Sequence, residues 1–238
     1  MRAGIPAISG AAMASVDRIM IDELGVDTLQ LMELAGYGVA DMARRHCGLD
    51  LTGAPRILAL AGTGGNGGDA LVAVRLLHAW GARAEVMLSK SREDLSGVTA
   101  HQLATVDRLG IPVHEPRTSA LPDADLILDG LLGFSLRGDP RSETARLIGL
   151  ANTHPAPVLA IDVPSGLDAT SGAAGTPTIR ADWTVTLALP KTGLLAADLA
   201  LTGALWLADI GVPPAVFARL GVTVPADLFA TASLLRLS

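Results

Sequence analysis

Apolar residues recur at helical spacing over the first fifty positions and thereafter in short continuous runs, which predicts a helical lead-in followed by alternating strands and helices. Met13, Val16, Ile19, Met20 and Leu24 share one face of a helix that Ser9 can cap and Gly25 ends. Asp27 with Gln30 three residues on forms a capping-box pattern, opening a second helix that runs to Cys47 and stops at Gly48. From residue 56 the period changes. "RILALAG" reads as a buried strand, "GTGGNGGD" as a glycine loop, and 69–80 as a helix ended by Gly81.

The alternation continues through strand "RAEVMLS", a helix over 97–109, a short strand at "PVHE", strand "DLILDGLL" and a helix over 142–152. Strands "PVLAIDVP", "DWTVTLAL" and "GALWLADIG" follow, with a short helix after Pro214. Continuously apolar strands alternating with helices imply an α/β fold, a three-layer αβα sandwich whose Rossmann-like, mostly parallel sheet is covered on both faces. One domain over 1–238 is expected, with 1–50 as its lead-in and 225–238 as a linker.

Composition narrows the classes. Charged residues make up 18% and hydrophobic ones 50% of the 238, an ordinary globule. The net charge of -6 comes without a basic run longer than Arg44-Arg45-His46, so a nucleic-acid partner is not expected. No window reaches the roughly 18 apolar residues of a membrane span. Gly4, Pro6 and Gly10 break the apolar start that a signal peptide would need, and the single Cys47 cannot form an internal disulfide. A cytoplasmic protein is expected, with Cys47 serving packing. Tyr37, Trp183 and Trp206 are likewise read as packing residues. Lysine occurs only at Lys90 and Lys191, where arginine would not replace an amine able to exchange its proton.

In a doubly wound sheet, ligands gather beyond the carboxyl ends of the strands. The segments that fall there are "GTGGNGGD", "DGLLGFSLRGDPR" (129–141), "DVPSGLDATSG" (162–172) and "LPKTGL" (189–194), each setting glycine beside a polar or ionisable group. Gly62, Gly64 and Gly67 spell G-x-G-x-x-G, and Glu85 stands near the distance of a ribose-binding acid, so an NAD-dependent oxidoreductase is one reading. Asp69 at the helix start counts against it, because an acid there would repel a docked pyrophosphate. A P-loop is excluded by the lack of G-K-[ST].

Together these segments resemble the NAD(P)H-hydrate epimerases, the YjeF N-terminal domain family. "LMELAG" at 31–36 is similar to M-E-N-A-G, "GTGGNGGDA" to G-x-G-N-N-G-G-D-G, and "DGLLGFSLRGDPR" to D-A-x-F-G-F-G-x-x-G. "AIDVPSGLDATSG" is similar to V-D-I-P-S-G-x-D-x-x-T-G, and "ADWTVTLALPKTGLL" to A-D-x-T-V-T-F-x-x-x-K-x-G. Leu34 and Gly65 stand where the family carries asparagine, and Ala70 where it carries glycine.

The resemblance implies interconversion of the R and S epimers of hydrated NADH or NADPH, after which a separate dehydratase, fused to this domain in many bacteria, restores the cofactor. It implies Asp162 as first and Lys191 as second proton carrier, with Asp139 as a further candidate. It implies substrate contacts at Gly65, Asn66, Gly67, Gly68, Asp69, Gly133, Phe134, Ser135, Leu136, Arg137, Gly138, Asp139 and Asp162, with Arg137 and Arg141 as arginines able to meet phosphate. It also implies a potassium ion held by Asn66, Asp129 and Ser165 with neighbouring carbonyls, and a homodimer. A noncatalytic nucleotide-binding or dimerisation module is the alternative, since similar domains serve as interaction parts of other proteins.

Overall fold

The computed structural model describes residues 4–116, 120–136 and 138–238. The lead-in comprises α1 (Gly10–Arg18) and α2 (Thr28–His46). Ser9 accepts the Ala12 N–H at 3.2 Å as the N-cap of α1. Asp27 and Gln30 close the expected capping box on α2. Between them, Ile19–Glu23 winds as a π-helix, with Leu24 N–H donating to the Ile19 carbonyl at 3.0 Å. That wider turn shifts the helical phase, so Met13, Val16, Ile19 and Met20 are buried as expected but Leu24 is 51% exposed.

The remainder alternates as expected: β1 (Arg56–Ala61), α3 (Gly65–Ala79), β2 (Arg83–Leu88), α4 (Gly97–Arg108), β3 (Val113–His114) and β4 (Leu126–Gly130). Then come α5 (Ser142–Thr153), β5 (Val158–Ile161), β6 (Trp183–Leu187), α6 (Thr192–Ala196), α7 (Leu199–Thr202), β7 (Ala204–Ala208), α8 (Pro214–Ala218) and β8 (Leu234–Arg236). Three features differ from expectation. Helix α3 begins at Gly65 rather than residue 69, so most of the glycine segment is the helix's first turn. The short helices α6 and α7 follow β6. The segment expected as a linker contains β8, because Leu235 and Leu237 bury their side chains (4% and 3% exposed) in one small core.

Among the described residues the strands form one sheet ordered β3-β2-β1-β4-β5-β6-β7-β8, parallel except for β8. The twofold pleat divides the core cleanly. Ile57, Ala59 and Ala61 of β1 face the layer built by α1 to α4 and α8, whereas Leu58 and Leu60 face α5. Each fully buried leucine in these layers contributes about 1.5–3 kcal/mol. Cys47 is buried in the larger cluster, and that burial pushes its thiol up to about 12, consistent with packing. Gly36, in "LMELAG", lets α2 and α3 touch: a Cβ there would meet Val72 at 2.4 Å. The strand order reverses between β1 and β4, the crevice where doubly wound sheets bind ligands.

Candidate active site

Two unusual turns build the floor of the crevice. Directly after β5, Asp162 has φ 64°, and the flanking Val163 N–H reaches back to the Ile161 carbonyl at 2.7 Å. Directly after β6, Ala188 repeats the device with φ 64° and a Leu189 N–H to Leu187 carbonyl bond of 2.7 Å. Tight three-residue turns of this hand are rare and strained for residues with a Cβ, and such strain concentrates at functional sites.

The first turn presents the Asp162 carboxyl to the second. Its Oδ1 accepts from Thr186 Oγ1 and the Leu187 N–H, each at 3.1 Å, and from Lys191 Nζ. Lys191 also donates to the Leu187 carbonyl at 2.8 Å and lies 3.4 Å from Thr186 Oγ1. All three of its ammonium hydrogens therefore have acceptors within the protein. Asp162 Oδ2 has no donor among the described residues, and Asp162 lines a cavity of ≈ 150 Å³.

Three carboxyls line that cavity: Asp17 of α1, Asp69 of α3 and Asp162. Burial first, and then the charges of Asp162 and Asp17, hold the Asp69 carboxyl well above the usual carboxylate range. Asp69 sits in the second turn of α3, so it is no helix cap. Burial likewise pushes Asp17 up to about 6, with the Lys191 ammonium pulling the other way. Asp17 escaped the sequence reading, although a carboxylate four residues from Met13 and three from Met20 on an apolar helix face was a usable signal.

That cavity adjoins others to form a longer groove. It shares Asp17, Gly65, Asn66 and Phe134 with a cavity of ≈ 390 Å³ between the first turn of α3 and residues 131–135. Phe134 and Ser135 continue into a third cavity, of ≈ 400 Å³, reaching Leu136, Asp168, Thr170 and the start of α1. Of the expected substrate contacts, Gly65, Asn66, Asp69, Gly133, Phe134, Ser135, Leu136 and Asp162 line this groove. Gly67 and Gly68 do not. A Cβ on Gly67 would meet the Gly62 carbonyl oxygen at 1.9 Å, and one on Gly68 would meet Met32, so both serve close packing.

Gly138 and Asp139 line a further cavity, which shares Leu136 and Asp168 with the third, and there Asp139 accepts the Thr176 N–H at 2.9 Å. Arg137 lies outside the described residues. Arg141 is exposed at the N-cap of α5. Leu34 is 46% exposed and lies away from the groove, so its departure from the family pattern removes no side chain from the site. Glu85 is engaged by His114 Nε2 at 2.7 Å. Of the aromatic residues, Trp183 packs on the core, Trp206 stacks on His46 and Tyr37 meets Trp80 edge to face.

Asn66, Asp129 and Ser165 converge around Leu132. Asn66 Nδ2 donates to the Leu132 and Ile161 carbonyls at 3.0 and 2.7 Å. Ser165 Oγ accepts the Leu132 N–H at 2.8 Å and donates to Asp129 Oδ1 at 2.6 Å. Asp129 is 0% exposed, and among the described residues only uncharged donors reach it: Ser165 N–H, Ser165 Oγ and Leu131 N–H. Burial pushes its carboxyl up to about 6 against those hydrogen bonds. A buried carboxyl without a cationic partner, beside a hydroxyl and two carbonyls that Asn66 also engages, is an oxygen-rich donor set of the kind a hard cation takes. No group of three His, Cys, Asp or Glu able to hold a metal occurs among the described residues.

The family model described as YjeF-related protein N-terminus matches residues 28–193. An NAD(P)H-hydrate epimerase of Dehalogenimonas lykanthroporepellens is 40% identical over 234 residues, covering 98% of this chain and 94% of that protein. A bifunctional NAD(P)H-hydrate repair enzyme Nnr of Moorella thermoacetica is 37% identical over 215 residues, covering 87% of this chain and 40% of that protein. The chain thus spans about two-fifths of the bifunctional relative. The crystal structure of the yeast protein ynu0, YNL200c, covers 98% of this chain with a TM-score of 0.82 at 24% identity, a likeness of fold.

Proposed function

The chain belongs to the family of YjeF-related protein N-termini, and from that premise we propose that it is an NAD(P)H-hydrate epimerase, an isomerase of cofactor repair. The observation that carries the reading is the strained turn that places Asp162, one of whose carboxylate oxygens has no donor among the described residues, in the wall of a cavity with Met13, Ile21, Met32 and Phe134.

In hydrated NADH the hydroxyl stands on a ring carbon bonded to the ring nitrogen. Protonating that hydroxyl lets the nitrogen lone pair expel it as water, and the planar iminium left behind can take up water from either face. Asp162 carries the proton on its face: it accepts from the entering water in one direction and gives to the departing hydroxyl in the other. Lys191, expected as a second carrier, acts here as a positioning residue, since its hydrogens are committed to Asp162, the Leu187 carbonyl and Thr186. The Asp69 carboxyl, held above the usual carboxylate range by burial and by the charges of Asp162 and Asp17, lines the same cavity and is placed to meet a nicotinamide carboxamide. The rest of the dinucleotide extends along the outer groove over Gly65, Gly133, Ser135 and Leu136.

A potassium ion held by Asn66, Asp129 and Ser165 with neighbouring carbonyls would supply a fixed positive charge where the glycine turn and the segments after β4 and β5 meet. A dehydratase acting on one epimer consumes the product, a coupling in keeping with the bifunctional relative. A homodimer would use the outer face of α2, where Leu34 and Tyr37 are 46% and 43% exposed. None of the described helices is long and apolar enough to cross a membrane.

The test is to incubate the protein with one separated epimer of hydrated NADH and follow both epimers by chromatography. Re-equilibration without oxidation is the expected result; formation of NAD+ or an unchanged epimer would refute the assignment.

A further inference from the structure

We propose that Asp17 is a second catalytic carboxyl of this site, exchanging a proton with the hydrated ring on the face that Asp162 does not serve. The inference rests on the epimerase reading above. Asp17 lines the ≈ 150 Å³ cavity from α1, whereas Asp162 lines it from the end of β5, and the two reach the same space from different layers of the fold. Asp17 alone among the three carboxyls also lines the adjoining cavity of ≈ 390 Å³, so it stands where the two cavities meet.

Its placement is built in. Ile8 bridges to the backbone on both sides of Lys191, with Ile8 N–H to the Pro190 carbonyl at 2.9 Å and Thr192 N–H to the Ile8 carbonyl at 2.9 Å. Gly10 N–H donates to Thr170 Oγ1 at 3.2 Å. The helix bearing Asp17 is thereby fastened to the segments bearing Asp162 and Lys191. Among the described residues no hydrogen bond or ion pair engages the Asp17 carboxyl, whereas Glu23, Asp27 and Asp41 in the same lead-in are all partnered. A half-buried carboxyl that no protein group satisfies is available to a ligand. The charged or titratable groups facing it are Lys191, Asp162 and Asp69, and its raised proton affinity suits proton exchange near neutral pH.

The chemistry requires such a group. A single carboxyl returns water to the face from which it left, which exchanges the hydroxyl oxygen but inverts nothing. With two, Asp17 gives its proton to the hydroxyl on its face as the C–O bond breaks and the ring nitrogen forms the iminium. Water then adds on the opposite face, forming the new C–O bond and passing a proton to Asp162. One water leaves, one enters, one proton moves from Asp17 to Asp162, and nothing is oxidised. The other epimer runs the same steps backwards.

The experiment uses each epimer of hydrated NADH labelled with 18O at the hydroxyl, with wild type, Asp17→Asn and Asp17→Glu. Wild type should lose label and invert both epimers. Asp17→Asn should invert about a hundredfold or more slowly, the scale of one acid–base group, yet still wash label from the single epimer whose hydroxyl meets Asp162. Asp17→Glu should recover part of the inversion. The inference falls if Asp17→Asn inverts at the wild-type rate, if it loses exchange equally from both epimers, or if wild type inverts with its label retained. A wild type that leaves both epimers unchanged overturns the epimerase reading and this inference with it; an active wild type matched by Asp17→Asn overturns this inference alone.

Discussion

Lys191 Nζ donates to Asp162 Oδ1 in an ion pair whose side chains are 1% and 3% exposed, between the turns that follow β5 and β6. A pair so buried adds little net stability when intact, because desolvation offsets the attraction, but removing one partner strands a charge in the core.

Lys191→Met should therefore destabilise the protein by about 3–5 kcal/mol. Adding Asp162→Asn should restore part of that loss by removing the stranded carboxylate. Urea unfolding of the two single variants and the double variant measures the coupling. A double variant no more stable than Lys191→Met would show that the lysine contributes through packing alone.

The pH dependence of stability follows from the raised carboxyls. Asp17, up to about 6 in the fold, binds more protons than in the unfolded chain between roughly pH 4 and 6. Its contribution is full below the unfolded value and is lost as pH rises through about 6. Asp17→Asn should thus be more stable than wild type at pH 7 and indistinguishable from it near pH 3.5. Thermal unfolding across that range checks the sign, and a variant weaker at pH 7 contradicts it.

The proposed cation site predicts a selective salt effect. Potassium should raise the melting temperature of wild type more than equal concentrations of lithium or choline, because binding to the folded state alone stabilises it by mass action. Ser165→Ala, which removes the hydroxyl between Asp129 and Leu132, should abolish the difference. Equal melting temperatures in the three salts would exclude a specific ion.

Gly65 can be tested as a departure from the family pattern. A Cβ there meets nothing within 4 Å, and the position opens α3. Gly65→Asn should fold with stability within about 0.5 kcal/mol of wild type, since helix propensities of ordinary residues span a comparable range. By contrast, Gly133→Ala should impair the site, because its Cβ would approach Asn66 Oδ1 to 2.6 Å. Matching activities for Gly133→Ala and wild type would show that Asn66 can be displaced without consequence.

Most of the fold was legible because its signals are local. Asp27 with Gln30 marked the start of α2 and Gly81 the end of α3, while unbroken apolar runs marked the central strands. What was illegible depends on tertiary context. The π turn at Ile19–Glu23 turned Leu24 outward although the side-chain period placed it inside. The apolar positions Leu235 and Leu237 had no strand signal until β7 offered an edge to pair with. In the site, the motifs named Asp162, Asn66 and Lys191, but the contacts that bind the Lys191 ammonium were not legible, because its acceptors come from β6 and the end of β5. Asp17 lacked a motif altogether and declared itself only through the cavity it lines.

The most direct measurement follows hydrated NADH in a coupled assay with an epimer-specific dehydratase, comparing wild type with Asp162→Asn and measuring substrate binding separately. The expected result is that wild type drives the whole epimer mixture to NADH, while Asp162→Asn binds comparably and leaves the unused epimer behind. An Asp162→Asn protein that still clears both epimers at the wild-type rate would contradict the assignment of the proton carrier.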